Sequence, residues 1–240
     1  MDLSGKAALV TGASRGLGRA LAEQLADAGA RVVLVARSRP ELTQVAEGIV
    51  QRGGDAHALS FDVGRKDDVY PLLGAAAALV GPIDLLIHNA SSLGPTPLRL
   101  LLDTECEDLS RVLETNLLGP FRLSKAIAGS MVLRRTGTIV HISSDASVSA
   151  YPRWGAYSVS KAALDHLSRL WAAELAEHGV RVLSVDPGDM DTALQRQAVP
   201  DADPAALGRP ERVAAAIVKL LQDDSVDSGS RVEAHDGRAA

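Results

Sequence analysis

The sequence predicts a doubly wound α/β domain: a parallel sheet of about seven strands with helices on both faces. Short runs rich in Val, Leu and Ile alternate with longer helical patterns along the whole chain. The short runs show little in-and-out alternation, as strands covered on both faces do. Such a rhythm calls for right-handed crossovers, which place helices on each side of the sheet.

Lys6–Val10 is the first strand, and the helix Arg15–Ala28 ends at Gly29. Arg31–Ala36 is the second strand, and a helix from about Pro40 to Arg52 stops at Gly53-Gly54. Ala56–Ser60 reads as a third strand, Lys66–Val80 as a third helix and Ile83–His88 as a fourth strand. Glu105–Arg134 is helical, with a bend at Gly119-Pro120 because the proline ring removes a backbone donor. The strand Thr138–Ile142, the helix Tyr157–Glu177 and the strand Arg181–Val185 follow. A loop over Asp186–Arg209 leads to the helix Pro210–Gln222, which carries proline in its first turn. Ser230–Ala234 forms a last edge strand. With no linker, repeat or low-complexity stretch between these elements, residues 1–240 form a single domain.

The chain has 240 residues, 46% of them hydrophobic, and a net charge of −5. That is enough for a proper core, and the composition excludes disorder. There is no basic run to track a nucleic acid. The single cysteine, Cys106, cannot form an intrachain disulfide, which suits a reducing compartment, and no motif surrounds it. The start MDLSGKAALVTG passes directly into a strand without the features of a signal or transit peptide. No apolar run reaches the roughly 20 residues that span a bilayer. A cytoplasmic protein with neither nucleic-acid nor membrane partners is expected.

The chemistry centres on Tyr157 and Lys161, which YSVSK sets four residues apart and so on one helical face. A nearby ammonium favours phenolate and draws a tyrosine pKa toward neutrality, where it serves as acid or base. Ser144, thirteen residues before Tyr157, follows the strand Thr138–Ile142 and can hydrogen-bond a substrate oxygen in the same crevice. Alone, a Tyr-x-x-x-Lys pair far more often describes a solvated helix face; the context gives it weight.

At the other end, Thr11-Gly12-Ala13-Ser14-Arg15-Gly16-Leu17-Gly18 joins the first strand to the first helix. Its glycines permit a tight turn and close backbone approach, and the helix amino terminus offers N–H groups to a pyrophosphate. The second strand ends Val35-Ala36-Arg37-Ser38, without the acid that holds a ribose 2′-hydroxyl. Arg37, with Arg15 in the glycine turn, is suited to a 2′-phosphate, so NADP(H) is the expected cofactor.

These residues resemble the short-chain dehydrogenase/reductases in their compact form of about this length, from Lys6 to about Leu221. The matching pieces are TGASRGLG at 11–18, Asp62-Val63, His88-Asn89-Ala90-Ser91, Asn116 with Gly119, Ser144, Tyr157 with Lys161, and Pro187-Gly188 with Thr192. The resemblance implies a single doubly wound Rossmann domain. It implies that Tyr157 is the acid–base residue, that Ser144 orients the carbonyl oxygen, and that Lys161 grips the nicotinamide ribose and lowers the tyrosine pKa. It further implies that Asn116, at a helix kink, holds a water in a proton relay. Gly12, Ser14, Gly16, Leu17 and Gly18 would cradle the pyrophosphate, with Arg15, Arg37 and Ser38 at the 2′-phosphate. Asp62 and Val63 would contact adenine, and Asn89 and Ala90 line the cleft. Pro187, Gly188 and Thr192 would close over the nicotinamide.

No metal is expected, since Asp189 and Asp191 read as solvated acids and His88 and His141 as core or cleft-lining residues. The sequence departs from the family at Ser91, where glycine is usual, at Asp145 after Ser144, and in the tail from Val226, which only loosely echoes the family ending at His235-Asp236-Gly237. Tyr151 and Trp154 are candidates for a pocket wall, and residues 190–209 for a substrate lid. The expected reaction is reduction of a small-molecule carbonyl to a secondary alcohol, or the reverse, in a homodimer or homotetramer paired through Glu105–Arg134 and Tyr157–Glu177. Alternatives are an NAD-preferring alcohol dehydrogenase or epimerase of the same superfamily, and a nucleotide-sensing scaffold without turnover.

Overall fold

A computed structural model describes residues 2–234. Strands β1 (Ala7–Thr11), β2 (Arg31–Ala36), β3 (Asp55–Ser60), β4 (Leu85–His88), β5 (Gly137–Ile142), β6 (Val180–Asp186) and β7 (Arg231–Glu233) form one sheet. Its seven strands run in the order β3-β2-β1-β4-β5-β6-β7, every pair parallel. Strand order reverses direction between β1 and β4, which opens a crevice at their carboxyl ends.

The described residues also form eight α-helices, most of them packed on the sheet: α1 (Gly16–Asp27), α2 (Arg39–Gln51), α3 (Val69–Val80), α4 (Cys106–Leu113), α5 (Gly119–Arg134), α6 (Gly155–Leu175), α7 (Ala193–Ala198) and α8 (Pro210–Gln222). The continuous apolar strands are shared residue by residue between two cores. Val10, Leu34, Ile87 and Val140 pack with Leu25 of α1, Ile49 of α2 and Ile217 of α8. Leu9, Val33, Leu86 and Ile139 face the other way, toward Leu72 of α3, Leu123 and Met131 of α5, and Leu175 of α6. The period of two is present but hidden, because both faces are buried.

One row of the second face is polar. The register places His88 beside His141, His141 beside Ser184 and Ser184 beside Arg231. The two imidazoles stack with centroids 4.8 Å apart and planes at 7°. Ser124 of α5 lies 2.9 Å from His88 Nε2, and Ser168 of α6 lies 2.9 Å from His141 Nδ1.

The elements follow the expected order, with corrections in detail. The predicted continuous helix over Glu105–Arg134 is two helices, α4 and α5, joined by a π-helical turn at Glu114–Leu118. Pro120 has no N–H to return to the Asn116 carbonyl, so the distortion falls in the turn before the proline. Gly119 is required by packing: a Cβ there would lie 2.6 Å from the Val63 carbonyl oxygen. The helix carrying Tyr157 begins two residues earlier, at Gly155, and ends at Leu175, followed by a 3-10 turn at Ala176–His178. The first helix begins at Gly16, with Arg15 in extended conformation before it. Residues 66–68 form a 3-10 turn ahead of α3. The loop 186–209 contains α7, capped by the Thr192 hydroxyl, which accepts from the Gln195 amide at 3.2 Å. His235, Asp236 and Gly237, the loose echo of the family ending, lie outside the described residues.

Candidate active site

The carboxyl ends of β1, β4, β5 and β6 deliver the site residues into one crevice. Thr11, the last residue of β1, organises the nucleotide end: its hydroxyl accepts from the Asn89 and Ala90 amides at 3.0 and 3.1 Å and donates to the Ile87 carbonyl. Asn89 in turn donates its side-chain amide to the Thr11 and Gly12 carbonyls at 3.0 and 3.3 Å. Gly12 and Gly16 adopt positive φ, 68° and 54°. A Cβ on Gly18 would collide with the Gly12 carbonyl, so α1 can approach the turn only with glycine here.

Helix α1 has no side-chain cap and no acidic residue in its first turn. Its free N–H groups and positive dipole end face the crevice without competition. Ser14 lies in the turn, Leu17 is buried behind it, and Arg15 is exposed. Arg37 follows β2 and is also exposed, its carbonyl held by the Ser60 hydroxyl at 2.9 Å; Ser38 begins α2. Among the described residues neither arginine forms an ion pair. Asp62 closes its own turn by accepting from the Gly64 amide at 2.9 Å, beside buried Val63. A glycine turn and an open helix end fit the pyrophosphate of a dinucleotide.

The catalytic end is built from β5 and α6. Tyr157 and Lys161 are both buried, at 6% and 2% exposure, and the ammonium sits 5.5 Å from the centre of the phenol ring. Lys161 Nζ donates to the Ile142 carbonyl at 2.6 Å, tying α6 to the end of β5. The expectation that Lys161 draws the phenol toward neutrality is not met in this arrangement. Burial raises the Tyr157 pKa well above the ordinary phenol range, with the charges of Asp186 and Asp145 adding to the effect. The Ser144 and Ser91 hydroxyls beside the phenol pull the other way. Burial also lowers Lys161, to about 8, against the upward pull of Asp165 and Asp186.

Asn116 is buried in the π-helical turn. Its side chain accepts from the Ser92 amide at 2.8 Å and donates to the Ser92 carbonyl and to Ser160 Oγ, both at 2.9 Å. Ser160 donates onward to the Tyr157 carbonyl at 2.6 Å, so Asn116 braces the helix that carries the phenol. Ser144 donates to Asp145 at 3.0 Å and accepts from the Ala146 amide at 3.2 Å. Asp145 also accepts from the Tyr151 hydroxyl at 2.7 Å. Trp154 meets Tyr151 and Tyr157 edge-on, with centroids 6.4 and 5.7 Å away, and forms a small cavity wall with Leu93 and Leu98. Ser91 Oγ, where the family has glycine, is buried without a hydrogen-bond partner among the described residues.

Pro187 is buried, and Gly188, with φ 66°, donates to Asp186 at 3.0 Å. The following strap is pinned at its base by the Asp191 amide on the Gly208 carbonyl and the Gly208 amide on the Asp189 carbonyl, both 2.9 Å. The methyl of Thr192 lies 3.3 Å from where a Cβ on Gly16 would stand, so the strap begins against the glycine turn. The ends of β1, β4, β5 and β6 thus lead into Gly12, Asn89, Ser144 and Pro187, Arg37 and Asp62 follow β2 and β3, Thr192 lies against Gly16, and Lys161 ties α6 to the end of β5. Sequence reading had not singled out Thr11, Ser92, Ser160, Asp165, Asp186 or Arg231; of these, Asp165 carried a signal, lying one helical turn beyond Lys161. Among the described residues no cluster of His, Cys, Asp or Glu could hold a metal ion, and no helix is long and apolar enough to cross a membrane.

The fold and the crevice are those of a doubly wound, dinucleotide-binding type of α/β domain. The family model described as short chain dehydrogenase matches residues 6–203, and the chain belongs to that family. It is 35% identical over 233 residues to the 3-oxoacyl-[acyl-carrier-protein] reductase FabG of Vibrio cholerae, covering 94% of this chain and 93% of that one. It is 36% identical over 198 residues to a short chain dehydrogenase of Pseudocercospora fijiensis, covering 80% of this chain and spanning 62% of the relative's length. Among solved structures, a metagenomic short-chain oxidoreductase in complex with NADP superposes with a TM-score of 0.84 at 31% identity, over 98% of this chain and 99% of that one. An NAD+-bound xylitol dehydrogenase superposes with a TM-score of 0.87 at 28% identity, over 97% and 98%.

Proposed function

We propose that the protein is an NADPH-dependent carbonyl reductase, acting as a single catalytic and cofactor-binding domain over residues 1–240. The observation that carries this reading is the placement of Ser144, Tyr157 and Lys161 together at the carboxyl ends of the central strands, braced by Asn116. The bound nicotinamide supplies the hydride. Tyr157 gives its proton to the carbonyl oxygen, and its burial keeps the phenol protonated until that oxygen becomes basic. Ser144 orients the same oxygen, and Lys161 holds the ribose and steadies the phenolate left behind. Asn116 fixes α6 through Ser160 and, at the helix distortion, supports a proton relay. Residues 190–209 act as the lid.

NADP(H) is favoured because Arg15 and Arg37 are exposed cations and no acid ends β2. Relatives in complex with NADP and with NAD+ both share the fold, so the arginines carry the choice. Titration of the purified protein, followed by nicotinamide fluorescence, is expected to show NADPH binding about 10- to 100-fold tighter than NADH. Arg37→Ala is expected to remove most of that margin. Equal affinities, or tighter NADH, would move the reading to the NAD-preferring alternative. Exposed Phe121 and Leu133 on α5 and Val159 and Leu170 on α6 suit these helices to pairing in a homodimer or homotetramer.

The charge at the mouth of the site bears on the substrate. Asp145 adjoins Ser144, and Asp189 stands near enough for the Asp145 charge to help raise its pKa, after burial. A substrate carboxylate meets repulsion here, whereas an ester of the same skeleton does not. Asp145→Asn is expected to raise kcat/KM for acetoacetate relative to ethyl acetoacetate by about tenfold. An unchanged ratio would place the carboxylate outside the substrate's reach.

A further inference from the structure

Three charged side chains that no motif singled out meet directly behind Ser144. Asp165 lies on α6 one turn beyond Lys161, Asp186 ends β6, and Arg231 opens β7. The register sets Arg231 beside Ser184 and Glu233 beside Asp186. In a parallel pair these side chains share a face, so the guanidinium is directed inward under α6. Its Nε donates to Asp165 at 3.2 Å. Its Nη2 donates to Asp186 at 2.6 Å and to the Ser144 carbonyl at 3.1 Å. Glu233 lies 3.7 Å from Nη1 at the exposed rim.

Each carboxylate is otherwise engaged with the site. Ser184 donates to the second oxygen of Asp165, and the Gly188 amide donates to the second oxygen of Asp186. The two acid side chains are 5% and 4% exposed and that of Arg231 is 19% exposed, so the cluster is largely dry. Buried carboxylates are tolerated only beside a cation with good geometry. Here Arg231 and Lys161 provide two cations for two acids.

We propose that Arg231 is a positioning residue: its single guanidinium clamps the Ser144 backbone, the Asp186-Pro187-Gly188 turn and α6 at Asp165 into the register that catalysis needs. It touches neither substrate nor cofactor. A planar fork reaches acceptors in three segments from separate nitrogens in fixed geometry, whereas an ammonium presents its donors from a single point. The edge strand, in the part of the chain that departs most from the family, thereby sets the distance between the Ser144 hydroxyl and the helix bearing Tyr157 and Lys161. This inference rests on the catalytic reading of those three residues.

The test uses the full chain with Arg231→Lys, Arg231→Gln and, as a control, Tyr157→Phe. NADPH affinity, turnover of ethyl acetoacetate and phenanthrenequinone, and amide hydrogen exchange are measured for each. Arg231→Lys is expected to bind NADPH within about threefold of wild type while kcat falls about 100-fold with little change in KM, the loss that a misplacement of about 1 Å brings. Exchange over residues 143–149 is expected to rise about tenfold, with β1 and α1 unchanged. In Tyr157→Phe turnover is lost but exchange over 143–149 stays as in wild type. A kcat for Arg231→Lys within about twofold of wild type, or unaltered exchange over 143–149, overturns the proposal. If Arg231→Gln does not fold, Arg231→Lys still decides. If the wild type reduces no carbonyl, the catalytic reading fails, and the exchange comparison alone decides whether Arg231 clamps Ser144.

Discussion

Tyr157→Phe is expected to lower carbonyl turnover by roughly 10³-fold, the range a positioned general acid supplies, while NADPH still binds. The ring stays: Phe keeps the edge contact with Trp154 and the face toward Lys161, both of which involve the ring and not the hydroxyl. What goes is the one proton donor that Ser144 and Ser91 surround. Burial that raises the phenol pKa holds the proton in place at neutral pH, so the wild-type enzyme enters each reduction already loaded. The substitution removes a desolvated polar group, so thermal stability is expected to hold or rise slightly. Steady-state kinetics on ethyl acetoacetate with NADPH, beside fluorescence titration of both proteins, separates the two effects. Turnover within about tenfold of wild type would sink the acid–base assignment.

The second large effect concerns acid. His88 and His141 stack in the core, and both titrate below the ordinary imidazole range. Burial is the main cause for each. The neighbouring imidazole adds to it at His88, and Lys161 at His141, where Asp165 pulls weakly upward and the value falls to about 3. The folded protein therefore keeps both rings neutral, while the unfolded chain takes up protons below the usual histidine pKa of about 6.5. Stability rises with pH wherever the unfolded state binds more protons. The contribution is complete above about pH 6.5 and is lost progressively down to about pH 3. Well inside that window His141 changes the unfolding constant by about tenfold per pH unit, and His88 acts in the same direction. Urea unfolding of wild type and His141→Gln at stepped pH from 7 to about 4.5 is expected to show the variant less acid-sensitive by about tenfold in the unfolding constant per pH unit. Equal slopes would mean that the unfolded chain and the fold hold the His141 proton alike.

Much of this architecture was legible because strand and helix announce themselves through different physical signals. Runs such as Leu9–Val10 and Ile139–Val140 are apolar on both sides only in a sheet covered twice. The glycine turn was equally plain, since Gly18 leaves no room for a side chain, whereas the Tyr157–Lys161 pair took its weight only from the motifs around it. Other features were set by contacts between distant segments. Pro120 pointed to a bend, but only the packing of Gly119 on Val63 and the grip of Asn116 on Ser92 show which turn widens. The proximity of Lys161 suggested a lowered phenol pKa, yet burial, which no local pattern reveals, outweighs it. Arg231 lies 66 residues from Asp165 and 87 from Ser144, and a lone arginine in a tail offers no motif.

The strap after β6 starts with Thr192 resting on Gly16, at the turn suited to the dinucleotide phosphates. On the proposed reading of residues 190–209 as a lid, its root is seated there, and any closing motion changes the volume above that turn. Phosphate occupancy and lid position would then be thermodynamically linked, and the linkage is reciprocal: whatever factor the dinucleotide adds to closure, closure returns to the dinucleotide's affinity. A substrate that holds the strap shut would slow release of the dinucleotide beneath it, which favours an ordered cycle with the dinucleotide first to arrive and last to leave.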